Sequence, residues 1–142
     1  MKTTEDMVLF WRGPFSNWYM RDMLVYGIEY NCVEQFMMSQ KARMFYDVRC
    51  EQTIMASNSP KQQKWLGRQV QGFDKEKWDR DARDIVGHAV FCKFNQHEDL
   101  KKLLLDTGDR VIVEASPYDK IWGIGLGVDD PDALDPMKCK GS

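Results

Sequence analysis

Histidine is scarce in this sequence, with only His88 and His97, and none of the four cysteines, Cys32, Cys50, Cys92 and Cys139, stands in a C-x-x-C pair. The common zinc-ligand spacings and a dithiol redox motif are thereby excluded, which leaves the thiols as buried or idle groups. Positive charge is short as well. A formal net charge of -2 supplies no broad field for gripping duplex nucleic acid through counterion release, so nucleic acid fits only as a locally read substrate. Long apolar runs are missing too. No segment approaches the roughly 20 apolar residues of a bilayer span, and the first ten residues hold no signal-peptide core, so a reducing, cytoplasmic location without a membrane partner is expected. Nothing in the chain reads as a repeat, a low-complexity tract or a Pro/Gly/Ser linker, so one domain over 1–142 is expected.

What is present is ordinary globular material: 43% apolar, 12% aromatic and 30% charged residues in 142, enough to bury a single core. Met7 to Phe10, then Gly13-Pro14, then Leu24 to Tyr30 broken by Gly27 predict short strands joined by turns. From Cys32 the spacing becomes helical through Val33, Phe36, Met37, Gln40, Met44 and Phe45, with Asn31 as expected N-cap and Glu34 in the first turn. Ser59-Pro60 predicts a second helix, running through Trp65 to Val70 and ended by Gly72. After Asp74 an amphipathic helix is expected, with Trp78, Ala82, Ile85, Ala89, Val90 and Phe94 inside and Lys75, Glu76, Asp79, Arg80, Asp84 and Lys93 outside. Leu100, Leu103 and Leu104 extend the helical content to Thr107, Gly108 serves as a left-handed cap, and Val111 to Glu114 reads as a strand. Beyond it, Pro117, Pro131, Pro136 and the glycines at 123, 125 and 127 predict turns. The sum is a mainly helical α+β domain with a small sheet.

Glu34 and Lys41 stand seven residues apart on a predicted helix, close to two turns, so they leave one face roughly 10 Å apart along the axis. They cannot pair directly, but they can enter opposite ends of one pocket. There a carboxylate moves protons, and an amine binds phosphate or attacks a carbonyl-like carbon. Spacing alone favours the plainer reading, two solvent-facing charges. In the run from Glu114 to Gly125, Trp122 offers a face for stacking a base and Asp119 a carboxylate for ribose hydroxyls or acid/base work, although a packed indole and a turn-capping acid fit equally. Gly123-Ile124-Gly125-Leu126-Gly127 has neither dinucleotide-binding spacing nor a P-loop lysine. Phe15-Ser16-Asn17-Trp18 sets hydrogen-bonding groups between aromatics after a turn, and Arg68 is either a phosphate grip or a surface charge. Lys61, Lys64, Lys75 and Lys77 read as solvated.

Taken in order, Phe15-Ser16-Asn17-Trp18-Tyr19, Glu34-Gln35-Phe36-Met37 with Gln40-Lys41-Ala42, Gly67-Arg68-x-Val70 with Gly72-Phe73 and Trp78, Lys93-Phe94, Leu104 to Gly108, and Glu114-Ala115-Ser116-Pro117 through Asp119 to Trp122-Gly123-Ile124-Gly125 resemble the YbiA-like, or NADAR, family of N-glycosidases. The match spans most of the chain. The resemblance implies a YbiA-like fold and hydrolysis of a ribose C1 to nitrogen bond in a ribose-phosphate or ADP-ribose substrate. That substrate is either ADP-ribosylated guanine, including modified nucleic acid, or a ribosylaminopyrimidine phosphate of riboflavin synthesis. It implies no metal, no cofactor and no obligate protein partner. By the same resemblance Glu34, Lys41 and Asp119 are catalytic, while Phe15, Ser16, Asn17, Arg68, Trp122 and Gly123 line the pocket. Two departures stand out: Met38 occupies a position where many relatives carry glutamine, and the family's later Asn-x-Leu-Gly segment is not found before Ser142. A non-catalytic ADP-ribose or nucleotide-binding module is the alternative.

Overall fold

A computed structural model of the protein describes residues 2–114. Its elements are β1 (Lys2–Thr3), β2 (Met7–Phe10), β3 (Met23–Val25), β4 (Ile28–Tyr30), α1 (Val33–Met44), α2 (Val48–Met55), α3 (Pro60–Gly67), α4 (Lys75–Gln96), α5 (Glu98–Asp106) and β5 (Val111–Glu114). The expected α+β, mainly helical architecture is what forms. The early strands, however, do not make one sheet. β3 and β4 form a hairpin of their own, turned by Tyr26 and Gly27, both left-handed with φ of 51° and 80°. That is the backbone a two-residue hairpin loop requires, and the glycine makes its half of the turn strain-free.

β2 instead pairs parallel with β5, Met7 opposite Val111 and Phe10 opposite Glu114, while β1 lies antiparallel on its other side. All five described helices fall in the connection between β2 and β5. A parallel pairing across so much chain has no local signature. Its consequence is positional: the chain leaving β2 after Phe10 and the chain reaching Glu114 stand at the same end of the sheet.

Helix α1 runs through the middle of the fold. One apolar cluster joins its Val33 and Phe36 to Met23, Val25 and Tyr30 of the hairpin and to Val86 and Ala89 of α4. A second joins its Met38 and Ala42 to Cys50 and Ile54 of α2, to Val70, and to Trp78 of α4. Seven of its twelve residues are buried, Glu34, Gln35 and Ser39 among them, because neighbours cover nearly every side. A helix enclosed in this way forces its polar residues to find partners inside the protein.

Three local expectations are corrected. Cys32, not Asn31, caps α1, its Sγ accepting from the Gln35 amide, while the Asn31 side chain donates to the Ser57 carbonyl at 2.9 Å. Helix α3 stops at Gly67, well before Gly72, so that Val70 can turn into the second cluster. Helix α2 lies where periodicity marks no element, since only Cys50 and Ile54 of its eight residues are buried. Among the described residues, no helix is long and apolar enough to cross a membrane. The glycine- and proline-rich tail, with Asp119, Trp122 and Gly123, lies outside the described residues.

Candidate active site

Glu34 occupies the first turn of α1 and is 4% exposed. Its backbone N–H donates to the Asn17 carbonyl at 3.0 Å, so the loop leaving β2 closes over the helix end. The Trp18 side chain hydrogen-bonds to the carboxylate, and Trp18 is itself held by its amide donating to Ser16 Oγ at 3.1 Å. Burial pushes the Glu34 carboxyl up to about 7, assisted by Glu114 at the end of β5 and opposed by Lys64, by the Trp18 hydrogen bond and by Lys41. A carboxyl in that range exchanges protons readily in both directions at neutral pH.

Lys41, two turns further along α1, is half-buried. Its Nζ lies 4.4 Å from the centre of the Phe73 ring and 6.0 Å from that of Trp78. Burial holds its ammonium below the usual lysine range, and Arg68 pushes the same way, while Cys50 and Glu34 oppose. The structure thus brings Glu34 and Lys41 into mutual electrostatic reach, each influencing the other's proton affinity. Neither is the solvated helix charge that spacing alone favoured.

The remaining sequence candidates among the described residues fall in two places. Ser16 and Asn17 brace the Glu34 turn through backbone and hydroxyl groups, and Phe15 stacks on Phe94 with ring centres 5.6 Å apart and meets Phe10 at 5.9 Å, tying the loop to α4 and β2. Arg68 is exposed at the end of α3, within electrostatic reach of Lys41.

Several residues of the site were not singled out by sequence. Lys64 is solvated as expected, yet its charge leads those that oppose the rise at Glu34, and its Nζ lies 5.9 Å from the Trp18 ring. Its position four residues before Arg68, on the same face of α3, was the available signal. Lys93 is a correction: expected on the outer face of α4, it is 2% exposed. Position 93 lies four residues after Ala89 and seven after Val86, both buried, so it belongs to the inward stripe. Its Nζ donates to the Ser16 carbonyl at 3.0 Å. A hollow lined by Glu5, Asp6, Asp109, Arg110 and Val111 sits at the opposite, starting ends of β2 and β5 and includes none of these groups.

The NADAR domain profile matches residues 9–142 of the chain. The chain is 44% identical over 117 residues to N-glycosidase R617 of Acanthamoeba polyphaga mimivirus, covering 79% of this chain and 69% of that protein. It is 33% identical over 113 residues to N-glycosidase Npun_R5314 of Nostoc punctiforme, covering 80% and 72%. The NMR structure of YbiA from E. coli superposes with a TM-score of 0.77 at 25% identity, covering 96% of this chain and 83% of that one. The chain belongs to the NADAR family, the family of YbiA-like N-glycosidases.

Proposed function

We propose that the protein hydrolyses the bond between ribose C1 and a base nitrogen in an anionic substrate, either ADP-ribosylated guanine or a ribosylaminopyrimidine phosphate. The observation that carries this reading is the pairing of a buried carboxyl held near neutrality with a half-buried amine two turns away on one helix. The site also gathers three cations, Lys41, Lys64 and Arg68, against the two acids Glu34 and Glu114, in a chain of net charge -2. That local excess suits a phosphate-bearing ligand, with Lys64 and Arg68 as its holders.

In the reaction, the protonated Glu34 carboxyl gives its proton to the ring oxygen, which opens the C1–O bond and leaves C1 doubly bonded to the base nitrogen; the resulting carboxylate then takes up the proton that the Lys41 nitrogen sheds after adding to C1. The neutral amine of Lys41 adds to C1, and Glu34 returns a proton to the departing base as its C1–N bond breaks, leaving a Schiff base on Lys41. Water adds to that imine, a proton passes back through Glu34, and the sugar leaves as the aldehyde while the amine is restored. Burial favours the neutral amine this route needs. Asp119 as a further carboxylate, Trp122 as a stacking face and Gly123 as a substrate-binding residue are proposed members of the site on the family resemblance alone, since they lie outside the described residues.

Incubation with each substrate class, followed by chromatography for freed base, decides between them. Borohydride added during turnover is expected to leave the reduced sugar on Lys41. An unmodified protein mass under those conditions removes the amine as nucleophile, and undiminished turnover by Glu34→Gln removes the carboxyl. Binding of ADP-ribose without base release identifies a binding module instead.

A further inference from the structure

Lys93 is an expensive residue to keep where it stands. A core position on α4 beside Ala89 and Phe94 is filled equally well by leucine or methionine, without desolvating an ammonium. The groups facing its Nζ are the Tyr19 ring at 5.3 Å, the Phe94 ring at 5.2 Å, the Cys32 thiol at the start of α1, and the Ser16 carbonyl, to which it donates at 3.0 Å. Burial lowers its own ammonium to about 8, with Cys32 opposing. What the ammonium provides and an alkyl chain does not is the tie to Ser16.

Ser16 is where that tie matters. Its Oγ holds the Trp18 amide, the Trp18 side chain hydrogen-bonds to the Glu34 carboxylate, and the next carbonyl, that of Asn17, receives the Glu34 amide at 3.0 Å. The contacts therefore run without a break from α4 through the loop to the first turn of α1. We propose that Lys93 is a positioning residue for Glu34: its buried ammonium fixes the Ser16 carbonyl, and thereby the Ser16–Trp18 segment that sets the Trp18 side chain against the carboxylate. The proposal rests on the reading of Glu34 as the proton-handling group.

The groups acting on Glu34 are Lys41 on its own helix, Lys64 on α3, Trp18 on the loop and Glu114 on β5; Lys93 is not among the principal ones. Loss of Lys93 therefore reaches Glu34 through Trp18 and not directly through the field. Because the Trp18 hydrogen bond favours the charged carboxylate, loosening it raises the Glu34 midpoint.

The test is a carbon-13 NMR titration of the Glu34 carboxyl in the full chain, with kcat and KM measured alongside. Lys93→Met keeps an unbranched apolar stem and removes the donor; Lys93→Gln keeps an amide donor but, like Met, is one bond shorter than lysine and does not reach Ser16. In either, the Glu34 midpoint is expected to rise by roughly half a pH unit or more, and kcat to fall roughly tenfold with little change in KM. Lys93→Arg, which keeps a cationic donor, is expected to recover part of both. Trp18→Phe is expected to reproduce the rise, and adding Lys93→Met to it to raise the midpoint no further. Either neutral variant that folds is sufficient to decide. A midpoint and kcat matching wild type in that variant overturn the proposal, as do fully additive effects with Trp18→Phe. Normal turnover by Glu34→Gln overturns the role of Glu34 instead, while the titration still reports whether Lys93 governs its surroundings.

Discussion

The Nζ of Lys41 lies 4.4 Å from the centre of the Phe73 ring, and Phe73 itself is partly open to solvent at 43% exposure. The ring acts on the amine in two opposed ways. It attracts the charged form by about 0.5 to 1 kcal/mol, and it keeps water away from it, which favours the neutral form. Burial is the leading influence on Lys41, so water exclusion wins. Phe73→Ala is therefore expected to let the ammonium climb back toward its ordinary value, leaving less free amine at pH 7. Borohydride trapping on Lys41 should slow several-fold at neutral pH and recover as pH rises, a profile read by mass spectrometry across a pH series.

Glu34 makes a second, independent prediction about stability. Its carboxyl moves from an ordinary value of 4.5 to about 7 on folding, so between those limits the native state holds a proton that the unfolded chain has lost. The contribution of this one group to stability is then greatest below pH 4.5, falls as pH rises through about 7, and above it is a penalty of roughly 3 kcal/mol for the buried charge. Glu34→Gln removes the titration and keeps the shape. Urea denaturation at pH 8 should show the variant more stable than wild type, with the difference narrowing toward pH 5. A constant difference across that range contradicts the buried charge.

The sequence carried those parts of the fold whose signals are local. Gly27 between two apolar runs marked the β3–β4 hairpin, and Asp74 followed by a long apolar stripe marked α4. Pairing of β2 with β5 was beyond reach, because Val8 and Ile112 are separated in sequence by all five described helices. The site divides similarly. Glu34 and Lys41 were placed on one helix face by spacing, and the ordered motifs raised them above solvated charges. Their proton affinities depend on Trp18, Lys64 and Phe73, brought in from a loop, another helix and a linker, which no helical period reveals. Lys93 misleads because charge and position disagree: its place in the stripe with Val86 and Ala89 puts it inside, whereas its lysine chemistry argues for the outer face.

Close packing of α1 on α3 supplies a prediction away from the chemistry. A Cβ built on Gly67 falls 2.0 Å from Met38 Sδ and 3.0 Å from its Cγ, so any larger residue there must displace that side chain. Met38 is itself buried in the second cluster, with little room to retreat. Gly67→Ala is expected to cost about 1 to 3 kcal/mol through overpacking. Met38→Ala alone leaves a void and is also destabilising. The double variant should be more stable than the sum of the two losses, since the new methyl enters the space the thioether leaves. Thermal melts of the four proteins measure that coupling directly.

Cys32 supplies the last. It is 1% exposed, its Sγ accepts from the Gln35 amide at 3.4 Å, and it donates to Gln63 Oε1 at 3.1 Å. Burial pushes its thiol up to about 11, with the nearby Glu34 charge adding to the rise and the Gln35 amide opposing it. Nucleophilic attack by cysteine requires the thiolate, which at pH 7.5 is then all but absent. Iodoacetamide applied to the native protein should leave Cys32 unlabelled and modify it only after denaturation. Its capping role is separable from its reactivity. A serine hydroxyl is the better acceptor for a helix amide and can still donate to Gln63, so Cys32→Ser should hold or slightly raise the melting temperature, whereas Cys32→Ala loses both contacts and is expected to cost about 1 kcal/mol or more. Equal melting temperatures for the serine and alanine variants would show that the thiol fills space at the start of α1 without capping it.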